Sequence, residues 1–368
     1  MERSGLPDHE RQLLEELVRS MLPDAELVRA TLLDPDAATI SSTHKGTGYG
    51  APVRIELLDR GRTRSLVLHT ATKNEFGHDR RADRAAAMLL AADSFGLVPG
   101  HVRVLDVGAY GVYGGCISLR NSGEFYVLTE WGDGTPYADD LRAIAERGRA
   151  DARDLQRTDV LVDRLLALHG ERLPDTQAYT RAIRDLLGSG EGIFGIVDAY
   201  PGDTPAASPE RLLGIQQQCL VWRERLKQKH QRLRRIHGDY HPFNLLFDDH
   251  DQLVLLDASR GCAGDPADDL TALSVNYLFF GLEAPGAWPA GFAPLWHRFW
   301  GNYLERASDP ELPRVMAPFF AWRCLVVCCP RWYPDLREST RDKLLWFAEQ
   351  LLGGTDFSPD LAQELFDR

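Results

Sequence analysis

Residues 237–270 read HGDYHPFNLLFDDHDQLVLLDASRGCAGDPADDL, and the fold is decided by how this stretch is parsed. Two short apolar runs, NLLF and LVLLD, flank the polar turn DDHDQ, which predicts a short β-hairpin. Asp239 lies in the loop before the hairpin, Asn244 follows five residues later, and Asp257 ends the second strand. An aspartate in such a loop can accept a hydroxyl proton and aim that oxygen. An amide oxygen and a carboxylate on the two arms of a hairpin can converge on Mg2+, a hard cation that takes oxygen ligands. Phosphoryl transfer needs both parts, an oriented nucleophile and a metal clamped against the phosphates. Taken singly, each acid reads as a turn residue; the ordered set carries the functional reading.

Moving outward, the chain is long enough for two domains or for two lobes of one enzyme. Residues 8–21, DHERQLLEELVRSM, have helical periodicity. AATISSTHKGTGYGAPVRIELLDRGRTRSLVLHTAT reads as strand, Gly-rich turn, strand, turn, strand, and DRRADRAAAMLLAADSFG as a helix stopped by its glycine. HVRVLDVGAYG, GCISLRN and EFYVLTEW read as further strands. After GDGTPYADDL the pattern turns helical, with DLQRTDVLVDRLLALHGERL the clearest amphipathic segment. The predicted class is therefore α+β: an antiparallel β-rich lobe with one inserted helix over residues 1–131, and a larger helical lobe over 132–368.

The ordered residues are similar to those of the aminoglycoside phosphotransferase family, whose two-lobed fold is protein-kinase-like and which includes choline kinase-like small-molecule kinases. The family's loop runs H-G-D-x-x-x-x-N, followed by a strand ending in Asp and then G-D-P-x-x-D-L. This chain has HGDYHPFN, LLDAS and GDPADDL. The resemblance covers most of the chain and is specific from about residue 237 to 270. It implies ATP (or GTP) and Mg2+ as cofactors, Asp239 as catalytic base, and Asn244 and Asp257 as metal ligands. It makes Asp269 a structural residue that braces the loop and caps a helix. Asp265 and Asp268 read as loop and surface acids. His237 and Pro242 shape the loop, while Tyr240 and His241 are expected to face the acceptor.

The first lobe should then hold the nucleotide. In KGTGYGAP, Gly46, Gly48 and Gly50 alternate between two predicted strands, and glycines let a backbone approach phosphates closely. The stretch lacks the G-K-[ST] ending of a P-loop. Glu130, Trp131 and Gly132, in EFYVLTEWGDG, look like a hinge whose backbone would bind adenine. Kinase-like enzymes usually carry a lysine on the third strand; here the best register puts His69 there. Lys45 and Lys73, the only lysines before residue 227, are the two candidates to replace it. By resemblance, Asp83 is its acidic partner. GSGEGIFG follows a helix rather than a strand and reads as a helix C-terminal turn bordering the acceptor site. Trp296, Phe299, Trp300, Phe319, Phe320 and Trp322 recur at helical spacing, as core residues do.

A net charge of −12 argues against nucleic-acid binding by phosphate neutralisation and permits a cationic small-molecule substrate. The six cysteines form no CxxC pair, and Cys324, Cys328 and Cys329 have no neighbouring histidine, so buried free thiols are expected over a metal site. Free thiols suggest a reducing compartment. The segment MERSGLPDHERQLLEEL has no apolar secretory core, and no apolar run approaches membrane-spanning length; a cytoplasmic enzyme without membrane or nucleic-acid partners is expected. Two rival readings keep the fold: a non-catalytic nucleotide-binding regulator, suggested by the missing lysine, and transfer of AMP instead of phosphate. Aminoglycosides, other antibiotics, sugars, choline-like alcohols and biosynthetic intermediates all fit as acceptors.

Overall fold

The computed structural model describes residues 8–33 and 52–368, which fall into two compact units, Met1–Thr129 and Glu130–Arg368. The class is α+β, as the sequence predicts: a small unit with antiparallel sheets, then a mostly helical one. Lys45, Gly46, Gly48 and Gly50, with the strand expected at AATISST, lie outside the described residues.

In the first unit, α1 (Asp8–Met21) packs on a three-stranded meander of β1 (Ala25–Leu32), β2 (Val53–Asp59) and β3 (Arg62–Leu68). The β2–β3 hairpin closes through Arg60 and Gly61, with φ of 51° and 75°. Two positive φ angles in a two-residue loop are what the right-handed strand twist favours, and Gly61 carries the second at no steric cost. Leu14, Val18, Ile55 and Leu57 form a small core. β1 is a strand the sequence reading missed. The register with β2 shifts between Leu27 and Arg29, and this bulge at Val28 breaks the period-two alternation that would have announced it. α2 (Arg81–Phe95) follows, then the short hairpin β4 (Gly108–Tyr110) with β5 (Cys116–Ser118). EFYVLTEW, expected as a strand, forms none, and Tyr126, Val127 and Leu128 are exposed.

The second unit holds β6 (Thr135–Pro136), α3 (Tyr137–Arg147), α4 (Ala152–His169), α5 (Thr176–Gly188), α6 (Ile193–Asp198), α7 (Pro209–Leu226), β7 (Arg234–Arg235), β8 (Leu245–Phe247), β9 (Leu253–Leu255) and β10 (Ala263–Gly264). It continues with α8 (Pro266–Glu283), α9 (Ala293–Ala307), α10 (Ala317–Cys328), α11 (Glu338–Leu352) and α12 (Leu361–Asp367). Asp151 caps α4 in a reciprocal box with Asp154, and Ser208 caps α7 ahead of Pro209, so both long helices start where their side chains satisfy free N–H groups. α8 and α10 are buried almost all round and form the centre of the unit. Trp296, Trp300 and Phe320 pack with Phe357 in one aromatic cluster, each side chain contributing roughly 1.5–3 kcal/mol by leaving water. Cys324, Cys328 and Cys329 are free and buried in the same core, as expected for thiols used as small apolar groups. Among the described residues no helix is long and apolar enough to cross a membrane.

Candidate active site

The loop of the opening motif is set by the strands around it. β7 pairs antiparallel with β10, and Ile236 N–H donates to Cys262 O at 3.2 Å, so the chain enters the loop alongside the segment that follows Asp257. Gly238 has φ of 85°, and a Cβ there would stand 2.4 Å from Gly261 O. Both the conformation and the close approach require glycine at that position. The backbone N–H groups of His237 and Gly238 donate to the two oxygens of Asp269 at 2.7 and 2.8 Å. His169 Nε2 is 3.2 Å from the same carboxylate, with its Nδ1 on the Tyr303 hydroxyl. The helix-capping role expected of Asp269 belongs instead to Asp265, whose carboxylate accepts Ala267 N–H ahead of α8. Asp265 is also no surface acid. It is fully enclosed and gripped by the Arg232 guanidinium and the Tyr179 hydroxyl.

Asp239 is buried at the base of the loop, and its backbone N–H faces His237 Nδ1 at 3.3 Å. Its Oδ1 accepts from Arg323 Nη1 at 2.9 Å and lies 3.7 Å from Arg260 Nη1; its Oδ2 is 3.4 Å from His241 Nε2. His241 Nδ1 accepts Phe243 N–H, which leaves Nε2 to carry the proton toward Asp239. Burial pushes the Asp239 carboxyl up, but the His241 hydrogen bond and the charges of Arg323 and Arg260 outweigh it and hold the group well below the usual carboxylate range.

Asn244 sits in the turn that opens β8, and its amide nitrogen donates to Asp239 O at 3.1 Å. That leaves its side-chain oxygen free of any hydrogen bond among the described residues. Leu256 N–H donates to Asn244 O, and Leu245 pairs with Leu255, so the hairpin carries Asp257 round to the side of Asn244. Asp257 lies two residues beyond β9 rather than at its end, exposed, with a left-handed φ of 49°. Such a conformation costs a non-glycine residue on the order of 1 kcal/mol and tends to persist where function over-determines it. Hydrogen bonding to Ser259 lowers its pKa, so it is ionised at neutral pH. An ionised carboxylate beside a free amide oxygen is a donor set that fits Mg2+, which binds through one or two such groups and otherwise keeps water and substrate phosphate.

Sequence reasoning missed the arginines. Arg323, in α10, is buried; besides Asp239 it donates from Nη2 to Asp268 Oδ1 at 2.6 Å, and it stacks 3.9 Å over the Trp322 ring. Arg260 also lies over the Trp322 ring, at 4.9 Å, and pairs with Glu191 at 3.1 Å. Asp268, expected at the surface, is therefore a partner of the loop through Arg323. Burial, helped by Asp269 and opposed by Arg323, pushes its carboxyl up to about 6. A legible signal existed: Arg323 is the single charge in APFFAWRCLVVC, and a charge in an apolar helix implies a buried counter-charge.

A cavity of about 270 Å3 opens beside Asp239, walled by His241, Phe243, Val275, Asn276, Val326 and Trp332 among others. Glu191, in the turn after α5 read from GSGEGIFG, stands on its border. Tyr240, expected to face the acceptor, does not reach this cavity: its ring is fully buried and its hydroxyl donates to Leu161 O, because the residue alternates inward as His241 alternates outward. In the first unit, His69 falls just past β3 and is exposed, on the opposite parity from the inward Leu66 and Leu68. Lys73 lies in the loop after the strand, also exposed, and Asp83 closes the α2 N-terminus by accepting Arg80 N–H at 2.8 Å. In the second unit, Glu130 and Trp131 are exposed, and Gly132 packs against Val254 and Leu256.

A family model described as the phosphotransferase enzyme family matches residues 56–309. Several solved structures align along most of the chain at low identity. A Streptococcus pneumoniae choline kinase is 13% identical, covering 98% of this chain and 97% of its own with a TM-score of 0.30. A thermostable aminoglycoside phosphotransferase mutant, in complex with ADP and hygromycin B, is 12% identical over 94% and 99% with a TM-score of 0.35. A Plasmodium vivax ethanolamine kinase is 10% identical over 95% and 86% with a TM-score of 0.33. No curated protein sequence matches the chain. The family match spans well over half of the residues and includes the whole loop, hairpin and GDPADDL segment, so the chain belongs to the phosphotransferase enzyme family.

Proposed function

We propose that this phosphotransferase uses ATP and Mg2+ to move the γ-phosphoryl group to a hydroxyl of a small molecule. The observation that carries the reading is the placement of Asp239: an ionised carboxylate, fixed by its loop, on the wall of a small-molecule-sized cavity. An acceptor hydroxyl in that cavity would donate to the carboxylate, which orients its oxygen. With its pKa held low, Asp239 is a weak base. It takes the proton late, as the oxygen loses electron density to the incoming phosphoryl group. Asn244 and Asp257 would hold Mg2+, which when bound neutralises charge developing on the transferred group.

The test is ADP release from ATP across a panel of hydroxyl acceptors, with and without Mg2+. Asp239→Asn keeps the shape and removes the charge, so turnover should fall about 10²–10⁴-fold while ATP binding is retained. Undiminished turnover in the variant would sink the assignment. One observation favours a second reading, a nucleotide-binding regulator: Arg323 already neutralises the expected base. Metal-dependent ATP turnover by the wild-type chain separates the two, and product mass separates phosphoryl from AMP transfer.

A further inference from the structure

The cavity beside Asp239 also carries information about its occupant, on the reading that it is the acceptor site. Its charges cancel locally. Of the two wall carboxylates, Asp239 lies within hydrogen-bond distance of Arg323 and Glu191 of Arg260, and Arg260 also leans toward Asp239. Both guanidiniums lie against the Trp322 ring; Asp239 is buried with its arginine, while Glu191 is largely exposed at the border. A cationic acceptor would find two arginines, with each wall carboxylate already beside one of them. Much of the remaining wall is apolar or aromatic, made by Val275, Val326, Val327, Trp332 and Tyr333.

A held polar group stands among the valines. Asn276 is 4% exposed, in the middle of α8, and its amide nitrogen donates to Ala272 O at 2.8 Å, one turn back. The nitrogen is thereby assigned, and the amide oxygen accepts no hydrogen bond among the described residues. On the wall of the cavity, that oxygen is open to a hydrogen-bond donor of an occupant. We infer that the cavity takes an uncharged hydroxyl compound with a compact apolar body, whose second hydrogen-bond donor is received by the Asn276 side-chain oxygen. An acceptor with an apolar body matches the valine wall, a hydroxyl matches Asp239, and a neutral donor matches the Asn276 side-chain oxygen. The net negative charge of the whole chain, which would draw a polycation, is not expressed on this wall.

The experiment compares two alcohols of one shape, 3,3-dimethylbutan-1-ol and choline, which differ in a quaternary carbon against a quaternary nitrogen. Binding to the full chain without nucleotide is followed by intrinsic tryptophan fluorescence, to which Trp332 on the cavity wall contributes, and by saturation-transfer NMR. The uncharged alcohol should bind at least about tenfold more tightly than choline. Adding a neighbouring hydroxyl, in 3,3-dimethylbutane-1,2-diol, should tighten wild-type binding further, and Asn276→Leu should erase that gain while keeping the mono-alcohol. Choline binding as tightly as its isostere, neither alcohol binding at millimolar concentration, or an undiminished diol preference in Asn276→Leu would each overturn the inference. If the leucine variant fails to fold, the wild-type pair alone decides. Because binding is read without ATP, a chain that binds the uncharged alcohol yet never releases ADP with any acceptor defeats the phosphotransferase reading and leaves this one standing; choline preference with ADP release does the reverse.

Discussion

Two ion pairs stand three residues apart in GDPADDL and behave in opposite ways. Asp265 meets Arg232 and Asp268 meets Arg323, and both guanidiniums are 4% exposed. Arg232 forks onto Asp265 through Nε and Nη2 at 2.7 and 2.9 Å, and its Nη1 goes to Asp309. Asp265 accepts two more hydrogen bonds, from Tyr179 and Ala267, so its pKa falls despite complete burial. Arg323 is instead divided between Asp268 and Asp239, and its Nε has no hydrogen-bond partner among the described residues. The Asp268 carboxylate accepts one hydrogen bond among the described residues, and burial wins. The same residue types thus make a permanent brace or a titratable link, and the number of hydrogen bonds reaching the carboxylate decides which.

The largest effect that could break this contrast is on stability. Asp265→Ala leaves the buried Arg232 charge partly uncompensated and uncaps α8, at a cost of about 3–5 kcal/mol in denaturant unfolding. Asp265 has a depressed folded pKa, so its contribution is present above the unfolded value of about 3.9 and is lost as pH falls through the folded one. A loss under about 1 kcal/mol at neutral pH would mean that the fork is ornamental and the two pairs are alike.

Asp268→Asn should act on rate more than on stability. Below about pH 6 the wild-type carboxyl takes a proton, and the full charge of Arg323 then bears on Asp239 with that of Arg260, making it a poorer acceptor for a hydroxyl proton. The facing groups are Arg323 from α10, Arg260 from the segment after β9, and Asp269 on α8 itself. On the proposed mechanism, wild-type kcat falls as pH drops through that value, while the variant shows a rate about tenfold lower and flat from about pH 5 to 8. Because the folded pKa is raised, the stability contribution of Asp268 is full below its unfolded value and lost as pH rises through about 6; the variant should not show that loss. An acid limb that survives in Asp268→Asn would assign it to another group and dissolve the contrast.

The contrast also marks what the sequence could disclose. Asp239, Asn244, Asp257 and Asp269 were legible because the loop and hairpin that join them are contiguous, and local hydrogen bonds such as Leu256 N–H to Asn244 O do the rest. Arg323 lies 84 residues from Asp239, and only its isolation in an apolar helix hinted at a partner. In the first unit, propensity misled in both directions. The bulge at Val28 concealed β1, while EFYVLTEW has strand composition without forming a ladder. Strand propensity states what fits a pleated half-buried surface, and pairing supplies that surface.

Tyr240 gives the finest test, because it separates the inward from the outward side of one loop. Its ring packs edge-on against His237 at 5.7 Å, and its hydroxyl reaches Leu161 O at 3.2 Å in α4. Tyr240→Phe keeps the ring and removes one buried hydrogen bond, leaving the Leu161 carbonyl to its helical partner. The expected cost is about 1 kcal/mol of stability, with kcat and the acceptor KM unchanged. His241, one residue on, faces the cavity and Asp239, so His241→Ala should raise the acceptor KM while leaving unfolding nearly unaltered. If Tyr240→Phe instead raised KM at unchanged stability, the hydroxyl would have to turn outward on acceptor binding. The loop would then lean more on Asp269 and Arg323, and the titratable link would bear more of the structure than its position beside the static brace suggests.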